Sequence, residues 1–548
     1  MMIILRKIKK FFGVSWPLIL AIGVLWLAIG YTATVSFSTN QGNVIYALDD
    51  PYIHMAIAKH ITKHGVFGVT PYEYSSSSSS LFWVFLLVAV YFIFGASEIA
   101  PLFLNVVFAT GSLVMFFCLA HRHLRSKLII LPLLLFFIYL TPLVPLIFTG
   151  MEHTLHILAA LFFSYVAATS LSAPQARLAS GREMLLLGLC FLAVTTRYEA
   201  IFQVFVIVLL FLMRKHFLTA IALTCTAAIP IMVYGLYSIS QGNYWLPNPL
   251  MIYGSFPEFG SIKAIIHTLG YGAIKKLMSA PHLYTMIISC VGIFIFNFKK
   301  YRVWDTRQLL LIIVVLTSLL HLQFAQTGWF YRYEAYLIAL AIFAISLYIG
   351  DYSAESLSQI IRGKSLVRTS VVIVLAILLL YPSFFRAKIA LQQTVPATRN
   401  IYEQQYQMGR FLSTYYDGQS IAANDIGVIN YSANIQCLDL TGLASAEILQ
   451  ARKSRNYTTS TIAELTKKKN TQIALVYLDW FGRDLPSFPS NWTLVGSWTI
   501  ENNVICAEKT VSFLAVKETG IPHLRESLIS FSEKLPPSVV ESGPYTRN

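Results

Sequence analysis

Residues 46–65 read YALDDPYIHMAIAKHITKHG, two adjacent carboxylates followed by a helix carrying His54, Lys59, His60, Lys63 and His64. An ionised carboxylate can take a proton from an attacking hydroxyl, and nearby cations can hold negative charge as it develops. Pro51 suits the first turn of a helix, and Asp50 is placed to cap it. Ile53, Ile57 and Ile61 recur at four-residue spacing on one face, and Gly65 suits the stop. The spacing predicts an amphipathic helix on a membrane surface, its basic side near lipid phosphates. Capping accounts for Asp50 and leaves Asp49 without a structural task, and a carboxylate at a membrane boundary is costly unless it is paired or used. The plain alternative for Asp49 is a solvated loop acid.

Three further charged clusters flank apolar runs: TGMEHTLH (149–156), TTRYEA (195–200) and WFYRYEAY (329–336). Glu152, His153, Arg197, Glu199, Arg332 and Glu334 are expected to meet near loop 1, because charge at a membrane boundary is paired or used. Ion pairs of Arg197 with Glu199 or Glu152 are the structural alternative. Such a cavity suits transfer of a group from a lipid phosphate, with a carboxylate base and cationic phosphate ligands. Lys59 and Lys63 either hold lipid phosphates or form a solvated face. The chain contains no G-x-G-x-x-G, Walker A or G-x-S-x-G motif. No cofactor is expected; a divalent metal suits the chemistry, but no His/Asp/Glu cluster has ligand spacing.

The elements that must position these residues are membrane spans. Of 548 residues, 56% are hydrophobic and only 12% charged, with a mean hydropathy of +0.61. Twelve apolar runs recur between 13–35 and 368–382, giving eleven or twelve candidates for helices that need about 20 residues each to cross. The first follows RKIKK (6–10) and reads as a retained signal anchor. The net charge of +15 gathers in short loops such as MRKH (213–216) and FKKYR (298–302). That is the positive-inside pattern, and it excludes a nucleic-acid partner. It also puts loop 1, 239–282, 327–334 and everything after about residue 383 on the other side. HRHLRSK (121–127) breaks the count: either 81–96 or 100–120 must fail to cross.

The fold class is thus a polytopic α-helical membrane protein with a C-terminal extracytoplasmic α/β domain. Residues 1–382 form the membrane part, with a catalytic first loop (36–80), and 383–548 the soluble domain. SIAAND, IQCLDL, QIALVYL, TLVGSWTI and VSFLAVK read as strands, with helices near 400–416 and 444–469. Cys437 and Cys506 fall in this tail and suit a disulfide there. The SSSSSS run (75–80) reads by default as a linker. Asp425 and Asp439 read as turn residues, and Trp480 and Trp492 as core aromatics.

LDDPYIHMAIAKHITKHGVFGVTPYEYSSSSSSLFWVFLL, TGMEHTLHILAALFF, TRYEAI, PNPLMIY and NDIGVINYSANIQCLDLTGL occur in that order over about 400 residues. In this order they resemble the GT-C glycosyltransferases, specifically the arabinofuranosyltransferase-like branch. The resemblance implies an inverting transferase of about 11–12 membrane segments in a bacterial inner membrane, its active site facing the periplasm or exterior. It implies a polyprenyl-phosphate-linked sugar as donor and a glycan, lipid or protein hydroxyl as acceptor. Asp49 maps to the base, Tyr52 and His54 to the start of the helix, and Glu152, Arg197 and Asn248 to the cavity. Tyr198 and Ala200 depart from the family's Pro and Gly, which leaves the sugar open. The rival reading is a secondary transporter or flippase for a lipid-linked sugar, which buried mid-span charges and a repeated half would mark.

Overall fold

The computed structural model describes residues 2–124, 127–173, 180–254, 276, 278–349, 366–479, 485 and 487–546. Helix α1 (Met2–Thr39) leads to α2 (Asp50–His64), α3 (Leu81–Phe94), α4 (Ile99–Ala120), α5 (Lys127–Leu140) and α6 (Leu143–Phe148). Then come α7 (His153–Ser172), α8 (Ser180–Thr196), α9 (Ala200–Met213), α10 (Phe217–Ser240) and α11 (Asn248–Tyr253). The bundle closes with α12 (Pro281–Asn297), α13 (Thr306–Phe324), α14 (Ala335–Ile349) and α15 (Leu366–Ile401). Five of these helices alone are long and apolar enough to cross a bilayer. The chain is a multi-pass membrane protein.

Hydrogen bonds sort the loops into two faces. Arg214 donates to the Ala173 carbonyl at 2.9 Å and its guanidinium lies over Trp304, while Ser172 and Thr306 hydroxyls bond at 2.9 Å. The opposite face carries loop 1, residues 149–153, 197–199, 241–254 and 325–334. Helix α3 begins there, where Ser78 Oγ meets His54 Nδ1 at 3.3 Å. It also ends there: Tyr46 Oη donates to the Glu98 carbonyl at 2.5 Å and accepts from Leu102 N at 2.9 Å. So 81–94 is the run that does not cross. Among the described residues, α1, α4, α5 and the helices from α7 to α10 and α12 to α15 then alternate between the faces, with α1 starting opposite the face that receives the C-terminal domain.

Helix α15 does not break near residue 383; it continues into a π-helical stretch, Tyr402–Tyr406, and α16 (Gln407–Tyr415). The domain beyond holds a six-stranded sheet in the order β2-β1-β3-β5-β4-β6. Its strands are β1 (Ser420–Ala423), β2 (Gln436–Asp439), β3 (Ile473–Val476), β4 (Thr493–Thr499), β5 (Thr510–Ala515) and β6 (Val540–Ser542). β1 pairs in parallel with β2 and β3, through crossovers carrying α17 (Val428–Ser432), then α18 (Ala446–Lys453) and α19 (Thr459–Lys468). The pairings of β3 with β5, β4 with β5 and β4 with β6 are antiparallel. Helix α20 (Ile521–Ser532) packs its Phe531 against Phe411 and Trp498.

Helix α2 corrects the surface-helix expectation. Its ends are as predicted: Pro51 sits in the first turn, and Gly65 takes φ 69°, its N–H reaching the Ile61 carbonyl at 3.0 Å. Its apolar face, however, is covered by protein. Tyr52, Ile53, Met55 and Ile57 share one core with α3 and with Val428, Phe411 and Trp498 of the C-terminal domain. His60 is buried with Nδ1 3.0 Å from the Gly68 carbonyl, and burial pushes it down to about 4, so it is neutral rather than a phosphate ligand. Lys59 Nζ donates to the Tyr431 carbonyl at 2.5 Å and lies over that ring, a docking contact in place of either expected role, lipid-phosphate ligand or solvated face. Lys63 is exposed and is not among the residues that line the cavities described below.

Two further expectations fall here. Cys437 and Cys506 are free and buried, Cys506 Sγ facing Gln405 Oε1 at 3.3 Å, so they form no disulfide. The serine run is no linker. Ser76 and Ser78 are fully buried, Ser75 and Ser77 hydroxyls bond at 2.9 Å, and Ser76 Oγ meets Tyr234 Oη at 2.7 Å. Trp492 is buried as expected, and Trp480 lies outside the described residues.

Candidate active site between bundle and domain

The acidic pair is divided by its surroundings, and not as capping predicts. Asp50 caps nothing: its Oδ2 accepts from Arg332 Nη1 at 3.1 Å. Asp49 instead holds backbone, its Oδ2 accepting from Gly427 N at 2.6 Å and Oδ1 from Val428 N at 2.8 Å. Gly427 is required there, since a Cβ would collide with the Asp49 main-chain oxygen and lie 2.6 Å from Oδ2. Asp49 is therefore not free, contrary to the expectation from capping: the chain that occupies it lies 378 residues away. Burial, then the nearby Asp425, push the Asp49 carboxyl well above its ordinary value against those two N–H groups. For Asp50 burial acts upward too, but the Arg332 guanidinium and its hydrogen bond outweigh it and hold the carboxyl below the ordinary value. Asp50 is ionised at neutral pH.

Two cavities meet at Asp50. One, of about 310 Å³, lies within the helical bundle and is mostly apolar, with Phe202, Leu250 and Phe324 in its wall and His54, Ser77 and Ser79 at its polar side. The other, of about 380 Å³, lies between bundle and domain and carries Asp49, Gln405, Asn424 and Asp425. Asp50, Tyr253, Arg332, Tyr333 and Leu443 border both. Asp425 is thus more than a turn residue, held by Gln405 Nε2 at 2.8 Å and Tyr477 Oη at 2.7 Å. Asp439 is a turn residue, accepting from Thr441 N at 2.7 Å and Ala444 N at 2.6 Å.

The charged clusters do converge on this face, in unequal roles. Arg197 Nη1 donates to Glu152 Oε1 at 2.7 Å, and Nη2 and Nε donate to Glu199 at 2.5 and 3.0 Å. Both carboxylates are buried with it, so Arg197 borders the apolar cavity already neutralised. Burial pushes Glu199 up but Arg197 prevails, bringing it down to about 2. Glu152 and His153 stand behind the cavity wall; His153 faces the Tyr333 ring edge-on at 6.4 Å. Tyr333 lies between both guanidiniums, 4.9 Å from Arg332 and 5.5 Å from Arg197. Arg332 has a different balance: its one carboxylate is Asp50, and its Nε is buried without a hydrogen-bond partner among the described residues.

The remaining expected residues brace the site. Tyr52 is buried, its hydroxyl accepting from Tyr46 N at 3.3 Å while its ring packs on Tyr431. Asn248 ties two loops together, its N donating to the Ser76 carbonyl at 2.8 Å and Nδ2 to that of Leu443 at 3.2 Å. His54 borders the apolar cavity, and burial, opposed by Glu152 and Asp50, lowers it so that it faces the cavity as neutral imidazole. Among the described residues no group of three His, Cys, Asp or Glu is placed to hold a metal ion.

Sequence reasoning missed Tyr333, Trp329 and the strap that carries them. Gly328 and the next three residues, Trp329, Phe330 and Tyr331, all have positive φ (82°, 37°, 55° and 62°), at a cost of about 1–3 kcal/mol for each non-glycine. Glu334 holds the strap, accepting from Gly328 N at 2.9 Å and pairing with Arg386 and His282 at 2.9 and 3.2 Å. Arg386 also donates to the Tyr331 carbonyl. A signal was present: RYEA occurs at both 197–200 and 332–335.

A family described as a domain of unknown function, DUF8728, matches residues 399–514, which run from the end of α15 through most of β5. No curated protein matches. Among solved structures the chain is similar to the crystal structure of ArnT from Cupriavidus metallidurans bound to undecaprenyl phosphate, with TM-score 0.48, 13% identity, and 91% of this chain and 99% of that one covered. It is also similar to the Archaeoglobus fulgidus oligosaccharyltransferase in complex with Zn and sulfate, with TM-score 0.45, 12% identity, and 94% and 75% covered.

Proposed function

We propose that the chain is a membrane glycosyltransferase that moves a sugar from a polyprenyl-phosphate donor to a hydroxyl acceptor on the extracytoplasmic side, with inversion. The observation that carries this reading is the position of Asp50 and Arg332 on the shared wall of an apolar and a polar cavity. The apolar cavity suits the first isoprenoid units, and Ser77, Ser79 and neutral His54 at its polar side suit the phosphate and sugar. Arg332, through its unpartnered Nε, would stabilise the phosphate as it leaves. The acceptor hydroxyl enters from the polar cavity, and Asp50 takes its proton as the new glycosidic bond forms and the old sugar–phosphate bond breaks. We assign the base to Asp50 rather than Asp49 because both Asp49 oxygens accept backbone N–H groups of the C-terminal domain. Asp49 is the anchor that sets the domain, and with it Asp425, over the cavity. The basic loops on the opposite face support an extracytoplasmic site.

The test is transfer in detergent. Purified protein mixed with polyprenyl-phosphate sugars and candidate hydroxyl acceptors is expected to form product with no sealed compartment present. A carrier or flippase cannot do this. Movement of the lipid-linked sugar across vesicles without any product would overturn the reading.

A further inference from the structure

On the face of the C-terminal domain, a third and larger cavity of about 890 Å³ lies between the loop after α2, the end of α10 and the start of α18. That is near the upper end of the roughly 300–1,000 Å³ range of ligand sites. Aromatic rings form its walls: Tyr72 and Tyr237 are each 47% exposed, and Tyr74 meets Tyr237 edge-on at 5.4 Å. Between the rings stand Glu73, Gln241, Glu447 and Gln450, side chains that bond hydroxyls. The nearby cations are already engaged. Lys469 Nζ lies 2.9 Å from Glu73 and 3.8 Å from Glu447, and Lys453 sits over the Tyr244 ring at 4.5 Å. Among the described residues that line the groove there are two carboxylates and no Lys or Arg, so an anionic ligand would be repelled, and a lipid chain would meet charge. Exposed ring faces beside carboxylates and amides suit a ligand with apolar C–H faces and many hydroxyls.

The groove adjoins the reactive centre. Ala444 borders it, and the preceding residue, Leu443, borders both cavities that meet at Asp50. Asn248 fixes that step through the Leu443 carbonyl. We infer that this groove binds a neutral oligosaccharide, the acceptor, whose terminal hydroxyl passes Leu443 to reach Asp50. The inference rests on the transferase reading and narrows its acceptor to a glycan.

The test is calorimetric titration of the full chain in nanodiscs. Short neutral arabino-, manno-, gluco- and galacto-oligosaccharides are the probes, against oligogalacturonate and a Ser/Thr-rich peptide. At least one neutral series is expected to bind, with Tyr237→Ala weakening it about tenfold or more, as for loss of an aromatic anchor. Glu447→Gln provides a second, gentler probe of the same wall and is expected to weaken binding in the same series. Asp50→Asn, expected to lack transfer, should bind unchanged. Binding by no neutral series, preference for the acid or the peptide, or indifference to both wall substitutions would overturn the groove. If Asp50→Asn still transfers, the transferase mechanism fails instead, so the two failures are distinct.

Discussion

The tetrapeptide RYEA occurs twice, at 197–200 and 332–335, each time where the chain turns into a helix from the face that carries the C-terminal domain. The two copies do opposite work. In the first, Arg197 bonds its own Glu199 and also Glu152, so its charge is more than neutralised. In the second, Glu334 is drawn away to Arg386, His282 and Gly328 N, which leaves Arg332 to Asp50 and the cavities. What makes one arginine a structural ion and the other a candidate phosphate ligand is a second cation, Arg386, that claims the neighbouring glutamate. The lesson is that the local motif sets a residue type at a boundary, while distant partners set its function.

The largest expected effect is at Arg197. Arg197→Ala leaves Glu152 and Glu199 buried without their cation, which should cost about 3–5 kcal/mol of folding stability; a thermal shift of the detergent-solubilised protein reads this, and an unchanged melting temperature would mean the cluster is hydrated. Arg332→Ala is expected to show the reverse pattern. Transfer should fall by about 10²–10³-fold, the size seen when one donor to a developing oxyanion is lost, with stability nearly kept because Asp50 is 37% exposed. Glu334→Gln sharpens the contrast, since it keeps shape but weakens the hold on the strap. Transfer should drop about tenfold, and combining it with Arg332→Ala should add less than the sum, because both act through one guanidinium. The smallest effect is on pH. The folded Glu199 value of about 2 lies below its ordinary 4.5, so its contribution to stability is present above about pH 4.5 and is lost as pH falls toward 2. Acid titration of Glu199→Gln against the parent chain should show a shallower loss in the variant.

Much of the frame was legible in the sequence because it is written locally. Pro51 and Gly65 mark the ends of α2, and short apolar runs mark β1 through β5; β6, three residues long, carries too little pattern to stand out. What failed depends on chain remote in sequence. The Ile53 and Ile57 face looks like a lipid-facing stripe until Val428 and Phe411 cover it. The serine run looks like a linker until Tyr234 and Asn248 bond it. Asp49 looks free until Gly427, which has no side chain to keep it away, and Val428 each present a backbone N–H to it. The acidic pair was visible as a site; which acid does the chemistry is decided by the domain that folds over it.

The most direct measurement is a paired transfer assay with Asp50→Asn and Asp49→Asn, both checked for amount and fold, using polyprenyl-phosphate sugar and acceptor in detergent. Loss of a general base should cost Asp50→Asn about 10²–10⁴-fold, while Asp49→Asn, losing an anchor, should lower stability more than rate. Full activity in Asp50→Asn, or its loss in a stably folded Asp49→Asn alone, would contradict the account.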